Sequence, residues 1–469
     1  MTVWPLKFRS LADGSLLFAD DAGGFFRASE DFLDRYAKGT LSQADCRFLG
    51  SGGHSFQQVG DLDYTAFAYR WSARQSKAAD INYLMLVPTL RCNLACSYCQ
   101  VSRADERAVG YDWTPETLDA VLTYLSGLTS DRIKIEFQGG EPLLRVDLLE
   151  EVRRFCRERF AHAEFVVCTN LQRLGPAEWT FLDAADTFVS TSLDGDPATH
   201  RRQRTETAGI TETFFANLRE AVGRLGSGRV SALPTIDVQN PPTMEAVIEA
   251  FTAYGIRSIY LRPINYQGFA RSRHAARHIA EKWNDYYGAF IDLLIDRNAE
   301  EDEPLEEFYF VHCLRRIFKG GLDGHVNIRN PDFLARDYLL IDFDGRFYPT
   351  DEARMMTRVG QIDLSIGSVF SGLDREKISA LNENATNSFD PDCIHCPYQA
   401  YCGVDLIDEI SREGRIDLPK PLTDFCRRHT FIFDKIFALI YSRDPKVRRS
   451  LALWLGIPDF PDLLAPVHA

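Results

Sequence analysis

The sequence lacks every feature that would carry the chain into or across a membrane. Nowhere do about 18 apolar residues follow one another, and the start, MTVWPLKFRSLADG, has neither the cationic beginning nor the apolar stretch of a secretory signal. Basic residues are in deficit, with 53 Lys and Arg against 67 Asp and Glu and a net charge of -14. This balance argues against nonspecific binding to nucleic acid or anionic lipid. We therefore expect a cytoplasmic protein with no nucleic-acid partner and no membrane partner.

Internal repeats and low-complexity segments are missing too, and a composition of 45% hydrophobic and 12% aromatic residues suffices for packed cores. A chain of 469 residues has room for about two to four domains. Because the cytosol keeps thiols reduced, its 11 cysteines favour metal ligation over a disulfide framework. Most of them fall in two groups, at 92–99 and at 393–402 with Cys426 following. The isolated cysteines are expected to be small buried side chains.

Short apolar runs alternate with amphipathic stretches from about residue 80, which is typical of βα units around a parallel sheet. The first helix is predicted to open at Thr114, a helix-capping residue followed by Pro115. Periodicity alone is compatible with an open doubly wound sheet or a partial barrel. In both folds ligands bind at the carboxyl ends of the strands. The six predicted strands are residues 83–87, 133–137, 164–168, 187–193, 230–236 and 258–261.

Further structure is predicted on either side of these units. Residues 5–50 indicate short strands followed by a helix, and residues 338–350 indicate a hairpin. The predicted division is a small N-terminal α+β unit over residues 1–78, a core over 79–300 and a C-terminal extension over 301–469.

The first cysteine group is Cys92-x3-Cys96-x2-Cys99, directly after the first predicted strand. Three thiolates can bind three irons of a [4Fe-4S] cubane and leave the fourth iron without a protein ligand. A structural zinc site takes four protein ligands in a tetrahedron, so three cysteines fit it poorly. Zinc and chance cysteines of a packed core are the alternative interpretations.

At these residues the sequence resembles the radical S-adenosylmethionine (SAM) superfamily, in which the open iron chelates the amino and carboxylate groups of SAM. The segment RCNLACSYC carries Tyr98 before its third cysteine, where the family places an aromatic residue beside the adenine. The sequence Gln138-Gly139-Gly140-Glu141 matches the family's glycine-rich motif at the end of the next strand. The resemblance implies that these residues bind SAM, with glycines admitting its amino group and Glu141 accepting its protons.

The resemblance continues in the loops after later strands. In relatives with peptide substrates these loops contact the ribose and carboxylate of SAM. Polar loop residues and helix caps are the alternative interpretation of each position. The SAM contacts implied by the resemblance are Asn170, Ser192 and Arg204.

The second cysteine group is Cys393-x2-Cys396-x5-Cys402-x23-Cys426. Its spacing does not exclude a four-cysteine zinc site. The segment DCIHCPYQAYCG resembles the auxiliary-cluster extension called SPASM, found in enzymes that mature ribosomally made peptides, quinohaem precursors and sulfatases. This resemblance implies one auxiliary [4Fe-4S] cluster with four cysteine ligands. Without an open iron, such a cluster suits electron relay or structural support.

The chain departs from the full extension, which holds a further auxiliary cluster nearer the barrel. Thr350 stands where one of that cluster's cysteines belongs, and Leu406 stands where another belongs. Cys313 could be a surviving ligand, but one thiolate cannot hold a cubane. The resemblance therefore implies two cubanes, with about eight iron atoms in all.

Over its whole length the chain resembles the radical SAM maturase of His-Xaa-Ser peptide systems, for example in the segments QVSR at 100–103 and YPTDE at 348–352. This resemblance implies a partial (β/α)6 barrel with a small N-terminal α+β unit and a C-terminal Fe–S extension. It also implies cleavage of SAM to a 5′-deoxyadenosyl radical that abstracts hydrogen from a precursor peptide. A cross-link, an oxidation and an epimerisation all remain open as products.

The same resemblance implies the partners. They are a precursor peptide, an electron donor such as flavodoxin or ferredoxin, and a second maturase of the same system. The N-terminal unit resembles leader-binding winged units, which add a peptide strand to an open sheet edge. A structural cap on the barrel is the alternative role for this unit.

Two rival functions stay open. Sulfatase-maturating relatives oxidise a protein Cys or Ser to formylglycine, and their proposed base corresponds to Asp351 here, which is the predicted catalytic residue. A solvated turn carboxylate beside Glu352 is the alternative interpretation of Asp351. The other rival is a noncatalytic Fe–S or zinc scaffold that binds peptide through the N-terminal unit.

Overall fold

The chain folds into two compact units in the computed structural model. The terminal unit comprises Met1–Lys77, Trp283–Asp332 and Asn384–Ala469, and the core unit comprises Ala78–Lys282 and Phe333–Glu383. The predicted three-part division stays a prediction, and its boundary at residues 78 and 79 lies outside the described residues. The structure describes residues 1–75, 80–265, 267–273, 278–301, 303–320, 328–461 and 463.

The N-terminal part of the chain combines short strands with three helices. Ser29, Ser42 and Asp61 each begin a helix by accepting a backbone N–H with the side chain. The elements are β1 (Thr2–Val3), β2 (Lys7–Ser10), β3 (Leu16–Ala19), β4 (Phe25–Ala28), α1 (Glu30–Lys38), α2 (Gln43–Ser51), β5 (Ser55–Phe56) and α3 (Leu62–Arg74).

The middle of the chain alternates strands and helices, as predicted. Thr114 caps the first of these helices, and its side chain accepts from the backbone N–H of Thr117 at 3.2 Å. The elements are β6 (Tyr83–Leu86), β7 (Arg91–Cys92), β8 (Ala104–Asp105), α4 (Pro115–Ser126), β9 (Arg132–Phe137), α5 (Val146–Arg159), β10 (His162–Cys168), α6 (Pro176–Leu182), β11 (Thr187–Ser192), α7 (Pro197–His200), α8 (Ala208–Leu225), β12 (Val230–Leu233), β13 (Thr235–Ile236), α9 (Met244–Thr252), β14 (Ser258–Ile259), β15 (Arg262–Pro263) and α10 (Ala270–Arg273).

The last part of the chain is mostly helical, with short strands between. Short helical turns complete the described elements, two in the middle of the chain at Pro142–Arg145 and Arg201–Thr205 and two in its last part at Cys393–His395 and Lys420–Leu422. The longer elements are α11 (Ala280–Asn298), β16 (Glu306–Glu307), α12 (Phe308–Phe318), β17 (Tyr338–Ile341), β18 (Phe347–Tyr348), α13 (Asp351–Arg358), β19 (Gly367–Ser368), β20 (Gly372–Leu373), α14 (Arg375–Leu381), α15 (Leu406–Glu413), α16 (Asp424–Ile440) and α17 (Pro445–Leu455).

The core unit is built on a sheet with the strand order β12-β11-β10-β9-β6-β17-β18. Every neighbouring pair from β12 to β17 is parallel, and β18 returns antiparallel to β17. Ile133, Ile135 and Phe137 of β9 are buried, and Glu136 between them points to the opposite face. The parallel α/β core expected from the sequence is therefore present, and its strands end at one edge.

Three details differ from the expected strands. The predicted strand 258–261 is reduced to Ser258–Ile259, which is not part of the main sheet. The predicted strand 230–236 is divided into β12 and β13 at Pro234, which has no N–H to donate to a ladder. The predicted hairpin 338–350 exists as β17 and β18, but β17 also joins the main sheet by pairing with β6. The hairpin thereby extends the sheet beyond its first predicted strand.

In the terminal unit, the antiparallel sheet β2-β3-β4 packs on both faces. Phe18 and Phe26 lie on one face, in a core shared with Phe32 of α1. Phe25 lies on the other face, and its ring centroid is 5.1 Å from that of Phe437 on α16. The N-terminal sheet is therefore part of the same packed unit as the C-terminal helices.

None of the helices in the described ranges combines the length and the hydropathy that crossing a bilayer requires.

Candidate functional site

The first cysteine group lies in a loop after β6, at the edge where the parallel strands of the core unit end. Backbone hydrogen bonds hold this loop in place: Glu141 N donates to Arg91 O at 2.8 Å, and Ser97 N donates to Gln203 O at 2.8 Å. The Asn170 amide also donates to Asn93 Oδ1 at 2.7 Å. The loops after β6, β9 and β10 thus meet at one place, as predicted.

The thiols of this group have the surroundings of sulfur ligands. Cys92 Sγ accepts from the backbone N–H of Leu94 at 3.4 Å and from the Asn170 amide at 3.7 Å. The pKa of Cys92 is raised to about 12, mainly by burial and then by the charges of Glu141, Cys96 and Cys99. The three thiols are therefore near enough to influence one another electrostatically, and N–H groups are directed at Cys92. This set of soft donors fits a cubane that keeps one open iron.

The two glycines of the motif are required by the close approach of the cysteine loop. A Cβ added to Gly140 would lie 2.2 Å from Arg91 O, and one added to Gly139 would lie 2.1 Å from Thr89 O. Gly139 also has a φ of +137°, which residues with a side chain rarely adopt. These glycines therefore let the backbone of the cysteine loop pack on the end of β9. Their expected approach to SAM stays a prediction.

Replacing Gly140 by Ala is expected to displace the cysteine loop, because the new Cβ would overlap the Arg91 carbonyl. The expected result is a loss of about four iron atoms per chain after anaerobic reconstitution, the content of one cubane. The matched control is Gly209→Ala on α8, where an added Cβ meets nothing within 4 Å. Wild-type iron content in Gly140→Ala would contradict the packing role of this glycine.

Glu141 connects two of the loops. Its side chain is 1% exposed, and its two carboxylate oxygens accept the backbone N–H groups of Leu143 at 3.1 Å and Asn170 at 2.7 Å. Burial raises the pKa of Glu141 to about 7, against the opposing effect of these hydrogen bonds. Glu141 therefore fixes Asn170 beside Cys92, and its predicted contact with SAM stays a prediction.

Tyr98 and Arg204, both predicted SAM contacts, meet in a buried network with Asp194. The Tyr98 hydroxyl lies 2.7 Å and 2.9 Å from the two carboxylate oxygens of Asp194, and Arg204 donates to the same hydroxyl at 2.7 Å. The Arg204 guanidinium also acts on Cys96 and opposes the burial that raises the pKa of its thiol. The network therefore fixes the Tyr98 ring and places a cation near one proposed iron ligand.

Asp194 was missed as a site residue. It is fully buried and also accepts from the backbone N–H of Thr235 at 3.0 Å. Its only sequence signal is the Asp194-Gly195 pair directly after a predicted strand. That signal does not distinguish a site residue from an ordinary loop carboxylate.

The other predicted SAM contacts lie on the same sheet. Gln138 donates from its side-chain amide to Glu136 Oε1 at 2.7 Å. Ser192 ends β11 and is paired with Leu233 of β12. Glu136, which sequence reasoning also missed, further accepts from the Tyr83 hydroxyl at 2.6 Å. Gln138 and Ser192 thus lie at the carboxyl ends of β9 and β11, the two strands that flank β10, and their contacts with SAM stay predictions.

Asp351, the predicted catalytic base, is the first residue of α13 in the core unit. Burial is the main reason that the pKa values of Cys168 and Tyr83 are raised, and the charge of Asp351 adds to both shifts. It likewise raises the pKa of Arg262. Asp351 therefore lies near the polar side chains at the ends of the parallel strands, and its role as a base stays a prediction.

The second cysteine group lies in the terminal unit, and its four members are near enough to influence one another electrostatically. Burial raises the pKa of Cys402 well above its usual value, and Cys426, Cys396 and Cys393 add to the shift. Cys426 joins the group from the first turn of α16. Four half-buried thiols near one another are the donor set that a fully ligated cubane takes. Within the described ranges, no three or more His, Cys, Asp and Glu side chains stand where they could hold one metal ion.

The residues at the missing ligand positions have other roles. The Thr350 side chain accepts from the backbone N–H of Ala353 at 3.0 Å and caps α13. Leu406 is the first residue of α15. Cys313 is fully buried on α12 among the hydrophobic residues of the terminal unit. Thr350 and Leu406 offer no thiolate for a further auxiliary cluster.

The middle of the chain is similar to a known family. Residues 86–261 match the radical SAM superfamily. This segment contains the first cysteine group, the glycine motif, Asn170, Ser192 and Arg204.

Curated relatives match shorter segments. An uncharacterized protein of Methanocaldococcus jannaschii is 29% identical over 117 residues, which are 24% of this chain and 39% of that protein. GTP 3′,8-cyclase of Peptoclostridium acidaminophilum is 38% identical over 78 residues, which are 16% of this chain and 23% of that protein. The matched segments thus span well under half the length of these relatives.

A longer match is found among solved structures. The structure of anSMEcpe with bound AdoMet and the Kp18Cys peptide has a TM-score of 0.58 at 17% identity, over 76% of this chain and 97% of that chain. At this level of identity the likeness establishes the fold alone. It confirms the predicted α/β fold class with a parallel core and a C-terminal extension, and the family match lies within that core.

Proposed function

We propose that this protein is a radical SAM enzyme that modifies a ribosomally made peptide of the His-Xaa-Ser type. The observation that carries the proposal is the convergence of the Cys92 to Cys99 loop, the Gly140 turn and Asn170 at one edge of the parallel sheet. The match of residues 86–261 to the radical SAM superfamily supports it.

In this proposal, Cys92, Cys96 and Cys99 hold a [4Fe-4S] cluster. Once bound, the cluster and SAM supply a 5′-deoxyadenosyl radical that abstracts a hydrogen atom from the substrate. Gly140 keeps the cysteine loop against β9, and Asn170 donates to Cys92 Sγ. Arg204 places a cation near Cys96, where it favours the thiolate. The protein thus orients the ligands and keeps the site dry.

Three features support a peptide substrate. The anSMEcpe structure, which shares the fold, contains a bound peptide. The Cys393 to Cys402 segment resembles the extension of peptide maturases, and the N-terminal sheet resembles leader-binding units. We further propose that Cys393, Cys396, Cys402 and Cys426 hold one auxiliary [4Fe-4S] cluster. A flavodoxin or ferredoxin as electron donor and a second maturase as partner complete the proposal.

The test is anaerobic incubation of the reconstituted protein with SAM, dithionite and a candidate precursor. The expected result is 5′-deoxyadenosine together with a mass change confined to a His-Xaa-Ser peptide. A parallel reaction with a sulfatase-type Cys peptide tests formylglycine formation. That alternative draws on Asp351, which lies near Cys168 and Arg262. Absence of 5′-deoxyadenosine with both peptides would favour a noncatalytic scaffold.

Two edges of the N-terminal sheet could accept a peptide strand. Leu11 N donates to Ser15 O, so by alternation the N–H of Ser10 points away from β3. On the opposite strand, Asp20 N donates to Gly24 O, so the N–H of Arg27 points away from β3. Proline lacks this N–H and is tolerated in edge strands. It can therefore test either edge in the full chain.

Ser10→Pro or Arg27→Pro is expected to weaken binding of a full-length precursor by about tenfold, because one or two strand hydrogen bonds of roughly 1 kcal/mol each are lost. SAM cleavage without peptide is expected to stay at the wild-type rate. Fluorescence anisotropy with a labelled precursor measures the affinity, and Ser10→Ala and Arg27→Ala are the controls. Unchanged affinity in both proline variants would support the structural-cap role. Deleting the whole unit is less informative, because it would expose Phe437.

A further inference from the structure

The N-terminal sheet places two cations beside the second cysteine group. Lys7 and Arg9 alternate along β2 and so share one face of the sheet. Lys7 Nζ donates to Gln399 Oε1 at 2.8 Å, and the Arg9 guanidinium lies 5.8 Å from the centre of the Tyr398 ring. Tyr398 and Gln399 directly follow Cys396 and Pro397 in the cysteine loop.

The carboxylate of Asp434 opposes Arg9 at the same place. Asp434 of α16 accepts from Arg9 at 2.7 Å and 2.9 Å and from the Tyr398 hydroxyl at 2.5 Å. The two residues that these side chains contact, Tyr398 and Gln399, are two and three residues after Cys396 in the cysteine loop. All three charged side chains therefore lie against the segment that carries Cys396.

We propose that Lys7 and Arg9 of the N-terminal sheet raise the reduction potential of the cluster held by Cys393, Cys396, Cys402 and Cys426, and that Asp434 lowers it. Net charge and hydrogen bonds at the sulfurs set the potential of an Fe–S cluster, because reduction adds a negative charge that nearby cations stabilise. This inference rests on the auxiliary cluster of the proposed function. It makes the N-terminal unit an electrostatic part of the cluster site.

The exposure of each side chain indicates how strongly its charge should influence the reduction potential of the cluster. The Lys7 side chain is 11% exposed and that of Arg9 is 42% exposed, so solvent screens Arg9 more. Asp21 pairs with Lys7 at 2.5 Å and is itself 40% exposed. We therefore expect Lys7 to influence the potential more strongly than Arg9.

The experiment isolates the second cluster in the full chain by replacing Cys92, Cys96 and Cys99 with Ala. After anaerobic reconstitution, a redox titration monitored by EPR gives the midpoint potential of the remaining cubane. Lys7→Met and Arg9→Gln are expected to shift the midpoint to more negative values, and Asp434→Asn to more positive values. Lys7→Arg keeps the charge and is expected to retain the wild-type midpoint.

The matched control is Arg27→Gln. Arg27 lies on the same face of the sheet, but it pairs with Asp13 at 2.8 Å and packs over Tyr441 at 4.9 Å. Its removal is expected to leave the midpoint unchanged. Opposite shifts for Arg9→Gln and Asp434→Asn support the inference, because general loosening of the site would not reverse sign between two partners of one ion pair.

Two results would overturn the inference, and only the second would also overturn the proposed auxiliary cluster. A cubane whose midpoint is the same in all variants overturns the electrostatic role alone and leaves the proposed cluster intact. Absence of any cubane in the isolated background overturns the second cluster of the proposed function, and the inference with it.

Discussion

Replacing Cys92, Cys96 and Cys99 together by Ala abolishes 5′-deoxyadenosine formation and removes about four iron atoms per chain, the content of one cubane. The reason is that these thiols, which follow β6 along the chain, are the proposed sulfur ligands of the first cluster. Without them no iron is held where SAM would chelate it. Chromatographic measurement of 5′-deoxyadenosine in the presence of dithionite and SAM, with iron analysis of the same sample, checks both parts.

The control is Cys46→Ala, which removes a partly exposed cysteine of α2 in the terminal unit. It is expected to keep both the wild-type iron content and the wild-type rate of SAM cleavage. Full SAM cleavage by the triple variant would contradict the central proposal. Loss of both iron and SAM cleavage in Cys46→Ala would instead indicate a general effect of losing a cysteine.

The parallel core was predictable because its signals are local. Buried residues alternate along β9 at Ile133, Ile135 and Phe137, and a helix opens at Thr114 and Pro115 where the cap and the proline place it. The order of the loops then follows from the rule that parallel strands end at one edge. The cysteine loop, the glycine motif and Asn170 are therefore found together, as the sequence predicted.

The parts that could not be predicted depend on contacts between distant residues. Tyr98 meets Asp194 and Arg204, which are 96 and 106 residues away along the chain. No local pattern specifies such a pairing. The glycines of the motif likewise matched a family pattern, but the close approach of the Arg91 carbonyl to Gly140 is visible only in the fold.

The N-terminal unit gives a second example. Its short strands, turns and first helix follow from sequence, because each depends on a few neighbouring residues. The packing of Phe25 against Phe437 does not, because the two residues are far apart in the chain. That contact joins the N-terminal sheet to the C-terminal helices in one unit. An independent leader-binding module is therefore a poorer description than a sheet built into the extension.

The reconstituted wild-type protein is expected to contain about eight iron atoms per chain, from two cubanes of four each. Seven cysteines are available in two groups, three in the core unit and four in the terminal unit. Replacing Cys393, Cys396, Cys402 and Cys426 together by Ala is expected to lower the count to about four. Iron and zinc analysis of the same samples, with EPR of the reduced protein, measures the result.

A third cubane and a zinc site would each give a different number of iron atoms per chain. About twelve iron atoms would require a third cubane and would contradict the interpretation of Thr350 and Leu406. About four iron atoms with bound zinc would favour a zinc site for the second cysteine group.

Thr350→Cys provides a further check, because it restores one thiol at the first missing position. The Thr350 hydroxyl caps α13, so this variant is expected to lose about 1 kcal/mol of stability. One added thiolate cannot hold a cubane, so the iron count should stay at the wild-type value.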